Sequence, residues 1–496
     1  MNISLFPTTV IGSLPRPGCV GDLILDRKKG SVSTEQANEQ LDHETMTAIL
    51  WTKMKKRIKC NNPSHTAAKA MRAPLMLCGV FFLAATVVYA DENDKTASAS
   101  KQAAPSVAVA GKPAARSGGW RGDGSGRFAA ADPPTTWDEK TNILWSATVG
   151  NSHSSPIVSN GRIFVTVEPD ELVCLDAATG KELWRRRHGA GQLPKELKEK
   201  VVAQELGSGN AAQTPVADGK HVFAVFGDSV VACYDFAGER KWIRAFGVAA
   251  PDAHGRSASP VLADGKLLVH LGDLAALDAQ TGKTLWKAED TLESFGTSLV
   301  TSVGSERVVV TPAGEVVKLR DGEVLARGLS LVPFASPVVS EGVAYFIGAD
   351  ATAVKLPDKA KAFAAEPTWL EYLDGDFYAS PVVHDGLIHT VNDGAIYYVI
   401  DAKTGKILLE KELPIRPAEG GDAIVYPSVS LAGGYLFIAN DGGETVVLKP
   451  GKTYEQVAKN RLGSGAGGTP ALAGKCIYLR SGKRVYCVAE KKIKGK

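Results

Sequence analysis

The stretch from Ser154 to Gly189, SSPIVSNGRIFVTVEPDELVCLDAATGKELWRRRHG, decides the fold. It contains four short runs rich in β-branched and aromatic residues, separated by Asn160-Gly161, by EPDE and by Thr179-Gly180. Asn-Gly and Thr-Gly suit tight hairpin turns because glycine adopts positive φ without a steric penalty. The stretch therefore predicts four strands joined by short turns.

The same pattern recurs through the rest of the chain. Later copies begin at Gln213, Ala258, Thr297, Ala335, Ala379, Tyr426 and Gly468. A period of about 40 to 45 residues is typical of a four-stranded propeller blade. The sequence predicts an all-β fold, an eight-bladed β-propeller of four-stranded antiparallel blades. Seven blades stay open as an alternative, because the fourth and seventh copies are degenerate.

The last copy ends at RVYCVAE (484–490) and lacks a fourth strand. An earlier run, NILWSATVG (142–150), matches the fourth-strand pattern KELWRRRHG of the first copy. We expect this N-terminal strand to complete the last blade, because closing a ring removes two exposed sheet edges.

Tryptophan recurs at one fourth-strand position of the repeat. The residues are Trp145, Trp184, Trp242 and Trp286. Large aromatic side chains at equivalent positions are predicted to pack between neighbouring blades.

Four segments are expected along the chain. Residues 1–53 form an extraneous N-terminal segment that we expect to be poorly ordered, and residues 54–90 form a secretory signal peptide ending in the apolar run MRAPLMLCGVFFLAATVVYA. Whether that signal is cleaved or retained as an anchor stays open. Residues 91–118, rich in Ala, Ser, Lys and Pro, read as a flexible linker, and residues 119–496 as the propeller. Because of the signal peptide, we expect the protein to be periplasmic or secreted.

The overall charge is unremarkable. The formal net charge is +3 and charged residues make up 22% of the chain, so nothing favours nucleic acid as a partner. We expect no membrane span in the mature chain and a monomer.

The repeat resembles a known family. The runs LDAATGKELW, LDAQTGKTLW and IDAKTGKILL resemble the tryptophan-docking repeat of pyrroloquinoline-quinone (PQQ) alcohol dehydrogenases. They are equally similar to the repeat of outer-membrane-assembly propeller lipoproteins, which lack the cofactor. Separately, TTVIGSLPRP near the N-terminus resembles the opening of the cobalamin-independent methionine synthases. That segment is far shorter than the ~250 residues of a TIM barrel, so no methyltransferase activity follows.

The resemblance implies two functional hypotheses. The first is an exported, non-catalytic scaffold that binds an envelope or secreted protein or a small ligand, without a cofactor, a metal or catalytic residues. The second is a PQQ-dependent alcohol dehydrogenase-like oxidoreductase with calcium beside the quinone. The chain has no adjacent Cys-Cys pair of the kind that often covers the quinone in that family.

Residues before the first strand of each blade are candidates for binding at one end of the channel. They are His153, Asn210, Arg256, Phe295, Phe334, Tyr378 and Tyr426. Aspartates in the neighbouring turns either add to this site or only cap their turns. They are Asp170, Asp228, Asp273, Asp350, Asp393 and Asp441.

The cysteines of the propeller have two expected roles. Cys174, Cys233 and Cys487 share one third-strand position and are predicted to be small core residues. A turn at Ser481-Gly482 would also place Cys476 opposite Cys487. In an exported hairpin this predicts a disulfide if the two form a non-hydrogen-bonded pair.

Overall fold

The computed structural model describes residues 118–188, 192–201, 206–252, 254–330, 332–415, 424–463, 465 and 467–490. The predictions for the extraneous segment, the signal peptide and nearly all of the linker lie outside these residues. Gly118, expected to end the linker, already pairs with Ala217. No helix in these ranges is long and apolar enough to cross a bilayer.

The described strands form eight four-stranded antiparallel sheets. The first strand, β1, spans Ile143–Thr148. The next sixteen strands, β2 to β17, form blades 1 to 4 in groups of four and span Ile157–Ser159, Arg162–Val167, Glu171–Asp176, Glu182–Arg187, Val216–Ala217, His221–Val225, Val230–Asp235, Arg240–Ala245, Val261–Ala263, Lys266–Leu271, Asp273–Asp278, Thr284–Ala288, Leu299–Val303, Glu306–Val310, Val316–Lys318 and Val324–Ala326.

The remaining strands complete the ring. Strands β18 to β29 form blades 5 to 7 and span Val338–Ser340, Val343–Phe346, Asp350–Lys355, Pro367–Tyr372, Val382–His384, Leu387–Val391, Ile396–Asp401, Ile407–Glu412, Ser430–Ala432, Tyr435–Ala439, Glu444–Leu448 and Gln456–Arg461. Blade 8 takes β30 to β32, which span Ala471–Ala473, Cys476–Ser481 and Arg484–Val488. The eight-bladed prediction is confirmed, and both degenerate copies form complete blades.

Strand β1 is the outer strand of blade 8, as the sequence predicts. It pairs antiparallel with β32, placing Trp145 opposite Cys487 and Thr148 opposite Arg484. The chain therefore closes its ring by pairing its first described strand with its last, so blade 8 has four strands like the other blades.

The predicted packing of the tryptophans between blades is confirmed. Each indole Nε1–H donates a hydrogen bond of 2.9–3.1 Å to a backbone carbonyl of the next blade. Trp369 does the same toward Ala402, at 2.9 Å. In every blade of the described part, the pairing of the third and fourth strands contains a register shift, which re-aims side chains of the outer strand.

This docking requires glycine in the turn that receives the ring. Gly405 has φ +75°, and a Cβ at this position would lie 2.7 Å from the indole of Trp369. Only a residue without a side chain permits both the backbone conformation and the approach of the ring.

The segment between blades 1 and 2 contains a short helix, α1 (Lys195–Lys198). The core is divided into clusters between blades. One of them joins Phe164 and Trp184 of blade 1 to Val222 and Tyr234 of blade 2. Packing between blades, rather than within one of them, therefore buries most of the apolar side chains.

Candidate functional site at the channel mouth

A closed ring of hydrogen bonds surrounds the central channel. Just before the first strand of each blade stands a serine or threonine whose backbone N–H donates to the hydroxyl of its counterpart in the next blade. The members are Ser155, Thr214, Ser259, Thr297, Ser336, Ser380, Ser428 and Thr469, and Thr469 donates back to Ser155. The eight distances are 2.8–3.1 Å. Each hydroxyl satisfies a buried amide, so the ring holds the blades at one level.

The residue two positions before each ring member lies at the channel mouth. In chain order these residues are His153, Ala212, Ser257, Phe295, Phe334, Tyr378, Tyr426 and Gly467. Five of them were predicted as site residues. The other three are small, and this gives the mouth two unlike halves.

The aromatic half is a continuous arc over blades 4 to 7. Ring centroids lie 5.4 Å apart for Phe295 and Phe334, 4.6 Å for Phe334 and Tyr378, and 5.0 Å for Tyr378 and Tyr426. His254 extends the arc with an edge-on contact to Phe295 at 6.3 Å. Tyr426 is 38% exposed, so the arc presents part of its surface to solvent.

Gly467 separates the arc from His153. A methyl group at Gly467 would lie 3.2 Å from Nδ1 of His153 and 3.6 Å from Cβ of Tyr426. His153 is exposed. The mouth therefore has an aromatic wall facing a half built from small residues and this one imidazole.

Carboxylates lie next to the tyrosine end of the arc. Asp376 and Asp393 are joined by hydrogen bonds, from the Asp376 amide to Asp393 Oδ1 at 3.1 Å and from the Asp393 amide to the Asp376 carbonyl at 2.7 Å. The Asp441 amide bonds the Ile424 carbonyl at 3.2 Å, which holds its turn against the loop before Tyr426. Negative charge is therefore concentrated beside Tyr378 and Tyr426.

The electrostatics of the mouth follow from this grouping. Burial, reinforced by Asp376, Tyr426 and Asp393, raises the pKa of Tyr378 to about 12. Burial and the charge of Asp376 raise the pKa of Asp393, although backbone N–H groups oppose the shift. A cation at this position would be favoured, because it would relieve the repulsion between the carboxylates.

Two of the predicted site residues do not face the mouth. Arg256 is buried and donates to the carbonyls of Gly227 at 2.8 Å and Val248 at 3.0 Å, and it forms an ion pair with Glu293 at 2.5 Å. Asn210 receives the amide of Asp228 at 2.7 Å and donates to a carbonyl in the turn of blade 1. Both side chains brace loops, and their hydrogen-bonding groups are directed at protein partners.

The predicted aspartates divide in the same way. Asp393 and Asp441 lie beside the arc. Asp228 accepts the amide of Val230 in its own turn at 3.2 Å, and Asp273 pairs with Lys287 at 2.6 Å. The capping interpretation therefore describes Asp228, and an ion pair holds Asp273.

Residues 118–128, which precede the first strand, run across the inside of the ring. Gly118 pairs with Ala217 of blade 2, and the amide of Phe128 bonds Leu431 of blade 7 at 2.8 Å. Between them, Nη2 of Arg121 donates to the carbonyls of Pro381 at 2.6 Å and Val429 at 3.0 Å. These carbonyls directly follow ring members, so the Arg121 guanidinium occupies the level below the hydroxyl ring. Its burial lowers its pKa to about 9.

The last hairpin has a different register from the one predicted. Ser481 pairs with Arg484, so the turn is Gly482-Lys483, and Tyr478 rather than Cys476 lies opposite Cys487. The predicted register, with Cys476 directly opposite Cys487, is therefore wrong. The two thiols, free in the structure, are diagonal neighbours joined by a hydrogen bond, which lowers the pKa of Cys476 and raises that of Cys487. Burial of Cys174, Cys233 and Cys487 confirms their core positions.

In the described ranges, no three His, Cys, Asp or Glu side chains converge on a point where they could hold a metal ion. The channel below the ring already holds the Arg121 guanidinium, hydrogen-bonded to backbone carbonyls.

The architecture defines the chain as an eight-bladed β-propeller with a tryptophan-docked repeat. A family model described as outer membrane protein assembly factor BamB matches residues 135–330 and 271–360. The quinoprotein ethanol dehydrogenase of Pseudomonas aeruginosa is 29% identical over 30% of this chain and 25% of its own length. The chain thus spans about a quarter of the length of this curated relative.

Solved structures share the fold. The BamB of Moraxella catarrhalis superposes with a TM-score of 0.51 and 11% identity, over 70% of this chain and 99% of that one. A europium-containing methanol dehydrogenase gives a TM-score of 0.50 and 12% identity, over 75% of this chain and 90% of that one. The family match, the curated relative and the BamB structure together support a PQQ-like propeller family.

Proposed function

We propose that this protein is an exported, non-catalytic propeller that binds an extended segment of another envelope protein at its channel mouth. One observation carries the proposal: the arc from Phe295 to Tyr426 ends beside Asp376, Asp393 and Asp441. Aromatic anchors dominate the energetics of protein interfaces, and an aromatic face flanked by carboxylates favours a cationic side chain. The preferred segment therefore contains Lys or Arg next to apolar residues.

The ring architecture supports a binding role. The arc rests on ring members whose amides and hydroxyls are bonded to the neighbouring blades, so its side chains are positioned before a partner arrives. A pre-organised surface loses less conformational entropy on binding than a mobile one.

Peptide binding tests this proposal directly. Fluorescence anisotropy would compare labelled ten-residue peptides that differ only in a central Lys or Glu between two leucines. We expect the Lys peptide to bind at least about tenfold more tightly, since like charges at an interface cost several kcal/mol. Phe334→Ala and Tyr378→Ala should each weaken it by about thirtyfold, as expected for truncation of an aromatic anchor.

A matched control separates the mouth from general effects. Tyr454→Ala removes a tyrosine from the outer side of blade 7, where it contacts Lys411 and Gln456, and should leave peptide binding unchanged. Equal binding of the Lys and Glu peptides, or equal binding by the wild type and the two arc variants, would contradict the proposal.

The dehydrogenase hypothesis has its own test. The similarity to quinoprotein ethanol dehydrogenase motivates it, although that similarity covers only part of each chain. Adding PQQ and calcium to the full chain should give neither a quinone absorbance band nor dye-linked alcohol oxidation. A quinone absorbance band together with alcohol oxidation would contradict the scaffold proposal and support an oxidoreductase. Fractionation of cells expressing the full chain tests export.

A further inference from the structure

A cleft on the outer wall of the propeller is lined by arginine. It lies between β5 of blade 1 and β9 of blade 2 and has a volume of about 290 Å³. Its lining includes Arg185, Arg186, Arg187 and Arg240, with Gln192 and Tyr234, and contains no acidic residue among those the structure describes. It is formed by outer strands, whereas the channel mouth is formed where the inner strands begin.

The four arginines are not equally neutralised. Arg185 pairs with Glu171 and Glu182, and Arg187 pairs with Glu171 at 2.7 Å. Arg186 donates only to carbonyls, those of Gly238 at 2.6 Å and Arg185 at 2.9 Å. In the described part of the chain, neither Arg186 nor Arg240 forms an ion pair. Two positive charges in the cleft are therefore uncompensated.

The geometry holds Arg186 in place. Its guanidinium carbon lies 5.6 Å from the ring centroid of Trp184, which is itself docked on blade 2 through Phe236. Nε of Arg186 is bonded to Gly238, and both Arg186 and Arg240 line the cleft. A guanidinium fixed by stacking loses little freedom when it binds an anion.

We propose that this cleft binds a phosphate-bearing ligand. Arginine forks match phosphate oxygens in bidentate geometry, and the bonds are charge-assisted. The cleft is near the lower end of the size range of small-molecule sites, about 300–1,000 Å³, so it can hold a phosphate with a small organic group attached. Gln192 and Tyr234 add polar groups for that part. The site is separate from the peptide site proposed above.

Isothermal titration calorimetry on the full chain tests the proposal with a sugar phosphate, the same sugar without phosphate, and inorganic phosphate. Co-sedimentation with phosphatidylcholine vesicles, with or without phosphatidic acid, distinguishes a lipid headgroup from a soluble ester. We expect the phosphorylated probe to bind and the bare sugar not to bind. Arg186→Gln and Arg240→Gln should each weaken binding about tenfold, which corresponds to about 1.4 kcal/mol.

Arg244→Gln is the matched control. Arg244 lies on the same strand as Arg240 but donates to Thr281 at 2.7 Å, and it does not line the cleft. Arg244→Gln should leave the affinity for the phosphorylated probe unchanged. Binding of the wild type to the sugar phosphate, to the phosphatidic acid vesicles or to both supports the proposal if Arg186→Gln and Arg240→Gln weaken that binding. Absence of binding to every probe, or equal loss in Arg244→Gln, would overturn the proposal, and neither result bears on peptide binding at the mouth.

Discussion

Replacing one hydroxyl of the ring at the channel should measurably weaken the propeller. Thr469 is 4% exposed, and its hydroxyl accepts the Ser428 amide at 2.9 Å. Thr469→Val keeps a branched side chain but leaves that buried amide without its partner. An unsatisfied buried donor costs about 1–3 kcal/mol, so we expect the free energy of unfolding to fall by that amount.

Thr469→Ser provides the matched control. It retains the hydroxyl and removes one methyl group, which is worth about 0.8 kcal/mol when fully buried. Urea unfolding of both variants should give a lower midpoint for valine than for serine, with an unchanged dependence on denaturant. If valine were as stable as the wild type, or more stable than serine, the ring would not hold the blades as described.

Three further outcomes are expected. Burial lowers the pKa of three histidines from 6.5 to about 4: His188, His270 and His389. Their folded pKa lies below the unfolded one, so the free energy of unfolding should be greatest above pH 6.5 and should fall as the pH drops toward 4. Urea midpoints that stayed constant across that range would contradict this. Gly405→Ala should destabilise the fold by more than about 1 kcal/mol in the same assay, because a Cβ would meet Trp369, and wild-type stability would refute the docking argument. Mild oxidation should join the hydrogen-bonded thiols of Cys476 and Cys487, with loss of the mass of two hydrogen atoms in peptide mass spectrometry, whereas full alkylation of both after oxidation would exclude the disulfide.

The repeat made most of the fold predictable. Turn residues at fixed offsets mark each blade, and the similarity of NILWSATVG to a fourth strand was enough to predict how the ring closes. These features could be predicted because each is local, and because neighbouring copies of a repeat confirm one another.

The site was only partly predictable. The aromatic residues recur two positions before a serine or threonine, and that recurrence was the available signal for the hydroxyl ring. The burial of Arg256 was not predictable, because Arg256 lies in the loop before blade 3 and its partner Glu293 in the loop after that blade, and no local pattern reveals such a pair. The position of Arg121 inside the ring is likewise a long-range contact.

The register of the last hairpin shows a different limit. Ser481-Gly482 and Gly482-Lys483 are both acceptable two-residue turns by composition, and they differ by one residue in pairing. A one-residue change in turn position changes the cross-strand partner of every residue in the hairpin. In the observed register Cys487 therefore lies opposite Tyr478 instead of Cys476.

Hydrogen exchange of β1 tests the closed eight-bladed ring most directly. If Ile143–Thr148 is the outer strand of blade 8, peptides covering it should exchange as slowly as peptides covering Arg484–Val488, its partner strand. Exchange of Ile143–Thr148 within seconds, while Arg484–Val488 stays protected, would show that the N-terminal strand does not close the ring.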